Sequence, residues 1–471
     1  MNHVDLAFTP ALEQTRLIRT KEVSPLELVQ LYLERIQRFN SQLGSYFAVA
    51  ADMALADAKA KTEQLAQMEE GSALPPFFGV PISIKDLCSV QGLPCTYGTP
   101  VLKDNIAAYD DGVVTRIKGA GFVILGKTAT SELGSLPYTE PPGFPPARNP
   151  WNLDYTPGGS SGGAAAAVAA GLCPIAQGSD GGGSLRGPAF CCGVVAIKPT
   201  RGRISWAPTG DRQSGIAMNG PLARTVADAA ALLDVMSGYI TGDPYWLPNP
   251  EIPFLEAARQ APTQLRIAFS TAIPPLGEAA EICQQSVRET VQLLAGMGHI
   301  VESGCPDFTS LVEPFKTIWQ AGVGASGIPV AALSPMNQWI AQQSGSAGEY
   351  LQAVNQMQVV SRQIVTFFET FDVLVLPVYM HSTIRIGEWA DLPSEETLQK
   401  IISWIAPCPP FNATGLPAIA LPTGFDENGL PVGVQLVGRP AAEATLIAVA
   451  AQLEAAKPWS NQRPALFATE S

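Results

Sequence analysis

The sequence predicts an α/β fold with a largely parallel or mixed β-sheet. Short apolar runs with β-branched residues alternate along the chain with longer stretches in which apolar residues recur at helical spacing. Hydrophobic residues make up 46% of the 471 residues and charged residues only 15%, which is typical of a globular chain with a large core. The length alone is compatible with one large domain or two ordinary ones.

The clearest helix start lies at residues 24–27. Ser24 can cap a helix, Pro25 suits the first helical position, and Glu27 can complete a capping box. Strands are predicted at 80–84, 122–125, 194–197, 372–376 and 418–421. Helices are predicted at 24–36, 49–69, 111–120, 164–170, 225–237, 281–297, 348–370 and 441–455. We expect loops at 137–150 and 240–262.

Composition argues against several classes of protein. The net charge of −13 does not suit a nucleic-acid binder, which normally presents a basic face. Eight scattered cysteines without a C-x-x-C pair, together with three histidines, predict free thiols in a reducing cytoplasm rather than a zinc site. No signal peptide is evident after Met1, and the Ala- and Gly-rich stretch 162–178 is interrupted by Pro174. We therefore expect a cytoplasmic protein without a membrane span.

Three segments could together build a nucleophilic site. Two glycine-framed serine clusters, at 158–163 and 178–186, flank a helix-forming run, and Lys85 ends an apolar strand. Three glycines before Ser184 would let backbone N–H groups gather around an oxyanion, and burial would make Lys85 a neutral base. Taken one at a time, the same segments also suit a tight turn, a linker loop and a solvated strand end.

Taken together, these segments resemble the amidase signature family of serine hydrolases. The resemblance covers most of the chain and is specific because many separate motifs match in order. Ala129 departs from the pattern, since asparagine often follows Gly-Lys-Thr in the family. The matching segments are 79–86, 120–132, 149–151, 158–163, 178–186, 198–203, 411–417 and 429–435.

The resemblance implies one domain over residues 1–471, built on a large mixed sheet flanked by helices, and hydrolysis of carboxylic amides. It places a nucleophile on Ser184, a serine after a cis peptide bond on Ser160, and a lysine base on Lys85. It implies no metal and no organic cofactor. By the same resemblance, the oxyanion hole falls on the N–H groups of Gly181, Gly182, Gly183 and Ser184, and supporting roles fall on Ser161, Asp180 and Arg186.

Two motif matches point to other enzyme classes and are set aside, and one alternative role for the chain stays open. Residues 121–128 fit the P-loop pattern G-x-x-x-x-G-K-T, although their middle is an apolar strand where a phosphate cradle needs a loop. Residues 158–162 fit the G-x-S-x-G elbow of α/β-hydrolases, which need a later histidine such as His299 or His381. The chain could also be an A-type subunit of a glutamyl-tRNA amidotransferase, although Gly181 replaces the usual threonine there.

The substrate is left open by the sequence. Aliphatic, aryl, indoleacetamide-like and aminohexanoate-type amides all fit, and a homodimer is neither predicted nor excluded. We expect an apolar acyl pocket, lined partly by loop 133–146 and by the segment before Phe411. Its candidate aromatic walls are Phe144, Trp319 and Trp404.

Overall fold

The computed structural model describes residues 2–69 and 73–468. Within them, eleven strands form one mixed sheet in the order β1-β3-β2-β4-β6-β5-β12-β13-β11-β7-β10, while β8 and β9 form a separate two-stranded sheet. The strands are β1 (Tyr46–Val49), β2 (Pro81–Lys85), β3 (Val123–Thr128), β4 (Ile175–Asp180), β5 (Val195–Lys198), β6 (Met218–Ala223), β7 (Arg266–Phe269), β8 (Ala272–Ile273), β9 (Gly277–Glu278), β10 (Ile300–Ser303), β11 (Val373–Pro377), β12 (Ala418–Phe425) and β13 (Pro431–Gly438).

Helices flank this sheet, which confirms the predicted α/β architecture with a large mixed sheet. In the part of the chain that the structure describes, the helices are α1 (His3–Ala7), α2 (Ala11–Arg19), α3 (Pro25–Leu43), α4 (Ala51–Gln67), α5 (Gly112–Gly119), α6 (Gly162–Ala169), α7 (Arg186–Cys192), α8 (Val226–Met236), α9 (Phe254–Ala257), α10 (Glu281–Gly296), α11 (Val312–Gly324), α12 (Pro335–Gln342), α13 (Ala347–Thr366), α14 (Ser394–Ile405), α15 (Pro409–Ala413) and α16 (Glu443–Ala456).

The central strands are covered on both faces. Every residue of β2, β3, β4 and β6 is buried, and α6 lies within the core as a run of glycine, alanine and valine. Small side chains let this helix approach the sheet closely. The tight packing holds the loop before α6, which carries Ser160 and Ser161, in a fixed position. The second serine cluster lies at the end of β4 and in the turn that leads to α7.

The register of three parallel strands sets the position of the site. Strand β2 lies between β3 and β4 and is parallel to both. Its Ile84 pairs with Gln177 of β4, so the carboxyl ends of the two strands lie side by side. Lys85 at the end of β2 therefore meets the residues that close β4 and lead into α7. Ligands in open α/β sheets commonly bind at this edge.

No helix among the described residues is both long enough and apolar enough to cross a lipid bilayer. The stretch 162–178 forms the buried helix α6 followed by most of strand β4.

Candidate active site

Lys85 lies at the centre of a cluster of serine hydroxyls. Its side chain is fully buried at the end of β2. Its Nζ donates hydrogen bonds to Ser160 Oγ at 2.8 Å, to Ser161 Oγ at 2.8 Å and to Ser179 Oγ at 3.1 Å. These partners are all neutral, and no carboxylate in the described chain forms an ion pair with Lys85. Burial lowers the pKa of Lys85 to about 7, although the charge of Asp180 acts in the opposite direction.

Two other buried lysines show that burial alone does not surround an amine with serine hydroxyls. Lys127 is ion-paired with Asp86, its Nζ lying 2.7 Å from the carboxylate. Lys198 donates to the carbonyl of Pro199 at 2.9 Å and to the sulfur of Met218. Neither amine contacts a serine hydroxyl. Lys85 is thus the buried amine that is placed to exchange a proton with serine.

Backbone packing fixes Ser160 beside this amine. The Gly159–Ser160 peptide bond is cis, in agreement with the sequence-based expectation. Gly159 has no room for a side chain, since an added methyl group would come within 2.5 Å of the Tyr138 nitrogen. The neighbouring Ser161 hydroxyl donates to the carbonyl of Ser179 at 3.0 Å, which links this loop to β4.

Ser184 lies beside backbone N–H groups that have no internal acceptor. Its side chain is 7% exposed, and its hydroxyl forms no hydrogen bond with the described residues. Within the same residues, the N–H groups of Gly181, Gly182 and Ser184 also lack an acceptor. The N–H of Gly183, by contrast, donates to Asp180 Oδ1 at 2.7 Å. Of the four N–H groups that the resemblance assigns to an oxyanion hole, three therefore have no acceptor in the described chain and that of Gly183 is engaged by Asp180.

A buried ion pair holds the turn that carries Ser184. Arg186 and Asp180 are both fully buried, and two guanidinium nitrogens lie 3.0 Å from the two carboxylate oxygens. Burial would raise the pKa of Asp180, but the charge and hydrogen bonds of Arg186 lower it well below its ordinary value. The Asn412 amide donates to Asp180 Oδ1 at 2.8 Å and completes the cluster. The carboxylate is thus ionised and orients the loop.

Two cavities meet at the serine cluster. Ser184, Gly182 and Gly159 border a cavity of about 180 Å³, whereas Ser160 and Gly181 border a second cavity of about 880 Å³. The walls of the smaller cavity are mainly apolar and include Leu311, Phe315, Trp319, Tyr379, Ile401, Ile405 and Pro409. The walls of the larger cavity include polar and charged side chains, among them Ser179, Asp211, Arg212, Gln213 and Ser344.

One of the three predicted aromatic walls lines these cavities. Trp319 borders both of them. Phe144 is a correction, because its ring stacks on Phe47 with centroids 4.2 Å apart and borders neither cavity. Trp404 is a second correction, since it is fully buried behind the wall and packs against Tyr379. Loop 133–146 contributes its first residues, 133–137, to the two cavities.

The features that suggested other enzyme classes lie elsewhere. His299 borders neither cavity, accepts from the backbone of Leu265 and pairs with Gln452. His381 stacks on the ring of Trp404. The apolar part of segment 121–128 is strand β3, as the sequence predicts, and forms no phosphate cradle. No group of metal-ligating side chains occurs in residues 2–69 and 73–468.

Two residues of the cluster were not singled out from the sequence. Ser179 contacts Lys85. The alternation of side chains along β4 could have indicated this contact, since residues 177 and 179 lie on the same face of the strand and Gln177 also contacts Lys85. Asn412 reaches Asp180 from 232 residues away along the chain. No local sequence pattern signals a contact between residues so far apart.

Comparison with known proteins assigns the chain to a family. The family model described as Amidase matches residues 27–447. The chain belongs to the amidase family. A Synechocystis sp. (strain ATCC 27184 / PCC 6803 / Kazusa) protein provisionally named an amidase is 58% identical over 450 residues, which cover 96% of this chain and 89% of that protein. The 6-aminohexanoate-cyclic-dimer hydrolase of Paenarthrobacter ureafaciens is 35% identical over 502 residues, covering 99% of this amidase-family chain and 98% of the hydrolase.

Solved structures agree with this amidase fold. A structure of 6-aminohexanoate cyclic dimer hydrolase superposes with a TM-score of 0.91 and 33% identity, covering 98% of this chain and 99% of the other. A bacterial aryl acylamidase of the amidase signature family gives a TM-score of 0.88 and 27% identity, with the same coverage.

Proposed function

We propose that this amidase-family protein hydrolyses carboxylic amides through Lys85, Ser160 and Ser184. The observation that carries the proposal is the hydrogen bond of 2.8 Å between the buried Lys85 amine and Ser160 Oγ. It joins a base whose pKa is lowered to about 7 to the loop that faces Ser184. A base is most effective when its pKa lies near the working pH.

The proposed reaction proceeds in two stages. Neutral Lys85 takes a proton from Ser160, which takes one from Ser184, and Ser184 Oγ then bonds to the amide carbon. The oxyanion accepts hydrogen bonds from the free N–H groups at 181, 182 and 184. The proton returns through Ser160 to the nitrogen as the C–N bond breaks and the amine leaves. Water then cleaves the acyl-enzyme to the carboxylic acid and regenerates Ser184.

The apolar cavity supports a hydrophobic acyl group as the substrate's acid part. It adjoins Ser184, and its walls offer few polar partners. A charged acyl group would lose its hydration there without compensation. We therefore propose aliphatic, aryl or aminohexanoate-type amides as substrates. The names of the two solved relatives, an aminohexanoate-dimer hydrolase and an aryl acylamidase, support this class.

A competition assay tests the substrate class. With hexanamide or phenylacetamide present at equal concentration with glutamine, we expect the hydrophobic amide to be consumed at least about tenfold faster, since the glutamine acyl part carries two charges. Ammonia and both acids are quantified over time. A preference for glutamine would overturn the acyl-pocket assignment. It would favour an amidotransferase role, for which a glutamyl-tRNA(Gln) amidotransferase component from Thermotoga maritima gives a TM-score of 0.74 and 28% identity.

The pH profile tests the proposed base. Because the neutral amine of Lys85 is the active form, kcat/KM should rise about tenfold per pH unit below about pH 7 and level off above it. Hydrolysis of a neutral amide is measured between pH 5 and pH 9. A rise of about tenfold per pH unit that continues up to pH 9, as expected for a lysine of ordinary pKa, would contradict the assignment.

Lys198 provides the control for this profile. Burial also lowers the pKa of Lys198 well below its ordinary value, but this residue borders neither cavity. The Lys198→Met variant should keep the midpoint of the wild-type profile. If the midpoint moved by one pH unit or more in this variant, the titrating group would be Lys198 and not Lys85.

A further inference from the structure

The larger cavity contains a cation that the proposed reaction does not use. Arg212 lines this cavity together with Ser160 and Gly181. The loop that carries it lies between β5 and β6, and the next residue, Gln213, has a positive φ of 54°. An arginine in a cavity next to a reaction centre is a candidate for recognising part of the substrate.

Aromatic rings hold the Arg212 guanidinium in place. Its Cζ lies 5.4 Å from the ring centroid of Trp206 and 6.0 Å from that of Tyr97. The Trp206 indole is itself fixed by a hydrogen bond of 3.1 Å to the carbonyl of Ala217. A side-chain hydrogen bond with Tyr97 engages one guanidinium donor, and the other N–H groups remain available for a ligand.

Arg212 has no carboxylate partner within the described residues. Its positive charge counteracts the burial that raises the pKa of Asp111, but the two side chains form no ion pair. Lys316, the cation at the apolar cavity, is different because it is paired with Glu313 at 2.6 Å. Arg212 therefore keeps a positive charge that is unpaired in the described chain, and the N–H donors that Tyr97 does not use, for an anion that enters the cavity.

Gln213 links Arg212 to the reaction centre. A methyl group placed at Gly181 would lie 3.6 Å from Gln213 Oε1 and 3.5 Å from the Trp319 ring. The side chain next to Arg212 in the chain thus reaches the loop whose N–H groups are free for an oxyanion. A substrate held at Ser184 can extend past Gln213 toward Arg212 in the larger cavity.

The positions of Ser160 and Ser184 indicate which part of the substrate enters this cavity. In the proposed reaction, the leaving nitrogen receives its proton from Ser160, which borders the larger cavity. Ser184, which binds the acyl carbon, borders the apolar cavity. The acyl group therefore occupies the apolar cavity and the amine part occupies the polar one.

We propose that the preferred substrates are N-acyl amino acids, in which a hydrophobic acyl group is joined to an amine that carries a carboxylate, and that Arg212 binds this carboxylate. The proposal rests on the amide hydrolysis proposed above. The reaction consumes water and releases a hydrophobic carboxylic acid and a free amino acid. Arg212 acts as a specificity residue and takes no part in proton transfer.

Paired substrates test the proposal. N-phenylacetyl derivatives of glycine, β-alanine, 4-aminobutanoate and 6-aminohexanoate are compared with N-phenylacetyl alkylamines of equal length. At the best spacing, kcat/KM should be about tenfold to a hundredfold higher for the anionic member, as expected for a hydrogen-bonded charge pair. Arg212→Gln should bring this ratio close to one while it changes the neutral amides by less than about threefold.

A second cation provides the matched control. Lys316→Gln removes a charge at the apolar cavity and should keep the preference for the anionic amide. Two results would overturn the role of Arg212 but not the proposed amide hydrolysis. The first is hydrolysis of the neutral amides with no preference for the anionic member at any spacing. The second is a preference for the anionic member that persists in Arg212→Gln. Turnover of neither series would overturn the proposed amide hydrolysis together with this inference.

Discussion

Replacement of Ser184 by alanine should reduce kcat for amide hydrolysis by about 10⁴-fold or more, since no acyl-enzyme can form without its hydroxyl. Lys85→Ala should give a comparable loss, because the buried amine is the end of the proposed proton relay. Ser160→Ala should lose about 10²–10⁴-fold, the range for general acid–base groups. Turnover is measured by amine release under saturating substrate.

Matched variants separate loss of chemistry from loss of fold. Ser303→Ala changes an exposed serine at the edge strand β10 and should keep wild-type turnover. Circular dichroism and denaturant unfolding of each variant check that its fold is intact. Near wild-type turnover by a folded Lys85→Ala protein would remove lysine from the mechanism and reopen the choice of base.

Loss of the Arg186 charge should destabilise the fold by about 3–5 kcal/mol, the cost of leaving a buried charge without its partner. The Asp180 carboxylate would remain buried next to the loop that precedes α7, and its hydrogen bond to the Gly183 N–H would be weakened. Arg186→Leu should therefore lower both the free energy of unfolding and kcat. Urea denaturation measures the first effect and amine release the second.

An exposed ion pair of similar composition is the comparison. Arg288 and Glu281 lie 2.7 Å apart on α10, with side chains that are 46% and 73% exposed. Arg288→Leu should change the free energy of unfolding by less than about 1 kcal/mol, since water screens surface pairs. Equal losses in the two variants would show that burial of the Asp180 pair has no special energetic role.

The sequence predicts helices and apolar strands well where the signal is local. Helix α3 begins at Pro25 with the capping box between Ser24 and Glu27 that the sequence indicates. Strand β2 is predicted to within one residue and ends at Lys85. Strand β6 was not predicted, because Gly220 and Pro221 interrupt its apolar run and are unusual within a central strand.

In the candidate site, local motifs likewise mark some residues, whereas the positions of others depend on long-range packing. Lys85, Ser160 and Ser184 lie in short motifs. The resemblance of those motifs to a family was enough to identify the three residues as candidates for the site. Phe144 and Trp404 were chosen because they are large aromatic residues in loop-rich segments, and neither property specifies the direction in which a side chain points. Their rings face Phe47 and Tyr379 instead of the cavities.

Trp319 borders the apolar and the polar cavity at once, which has a consequence for any attempt to redesign the enzyme. A substitution that enlarges one cavity at Trp319 also changes the shape of the other cavity. In the proposed binding mode, selectivity for the acyl group and selectivity for the amine are therefore coupled at this indole. We expect that substitutions that contact it from the two cavities do not combine additively. In that binding mode, a substitution of Trp319 changes the fit of the acyl part and of the amine part of the substrate together.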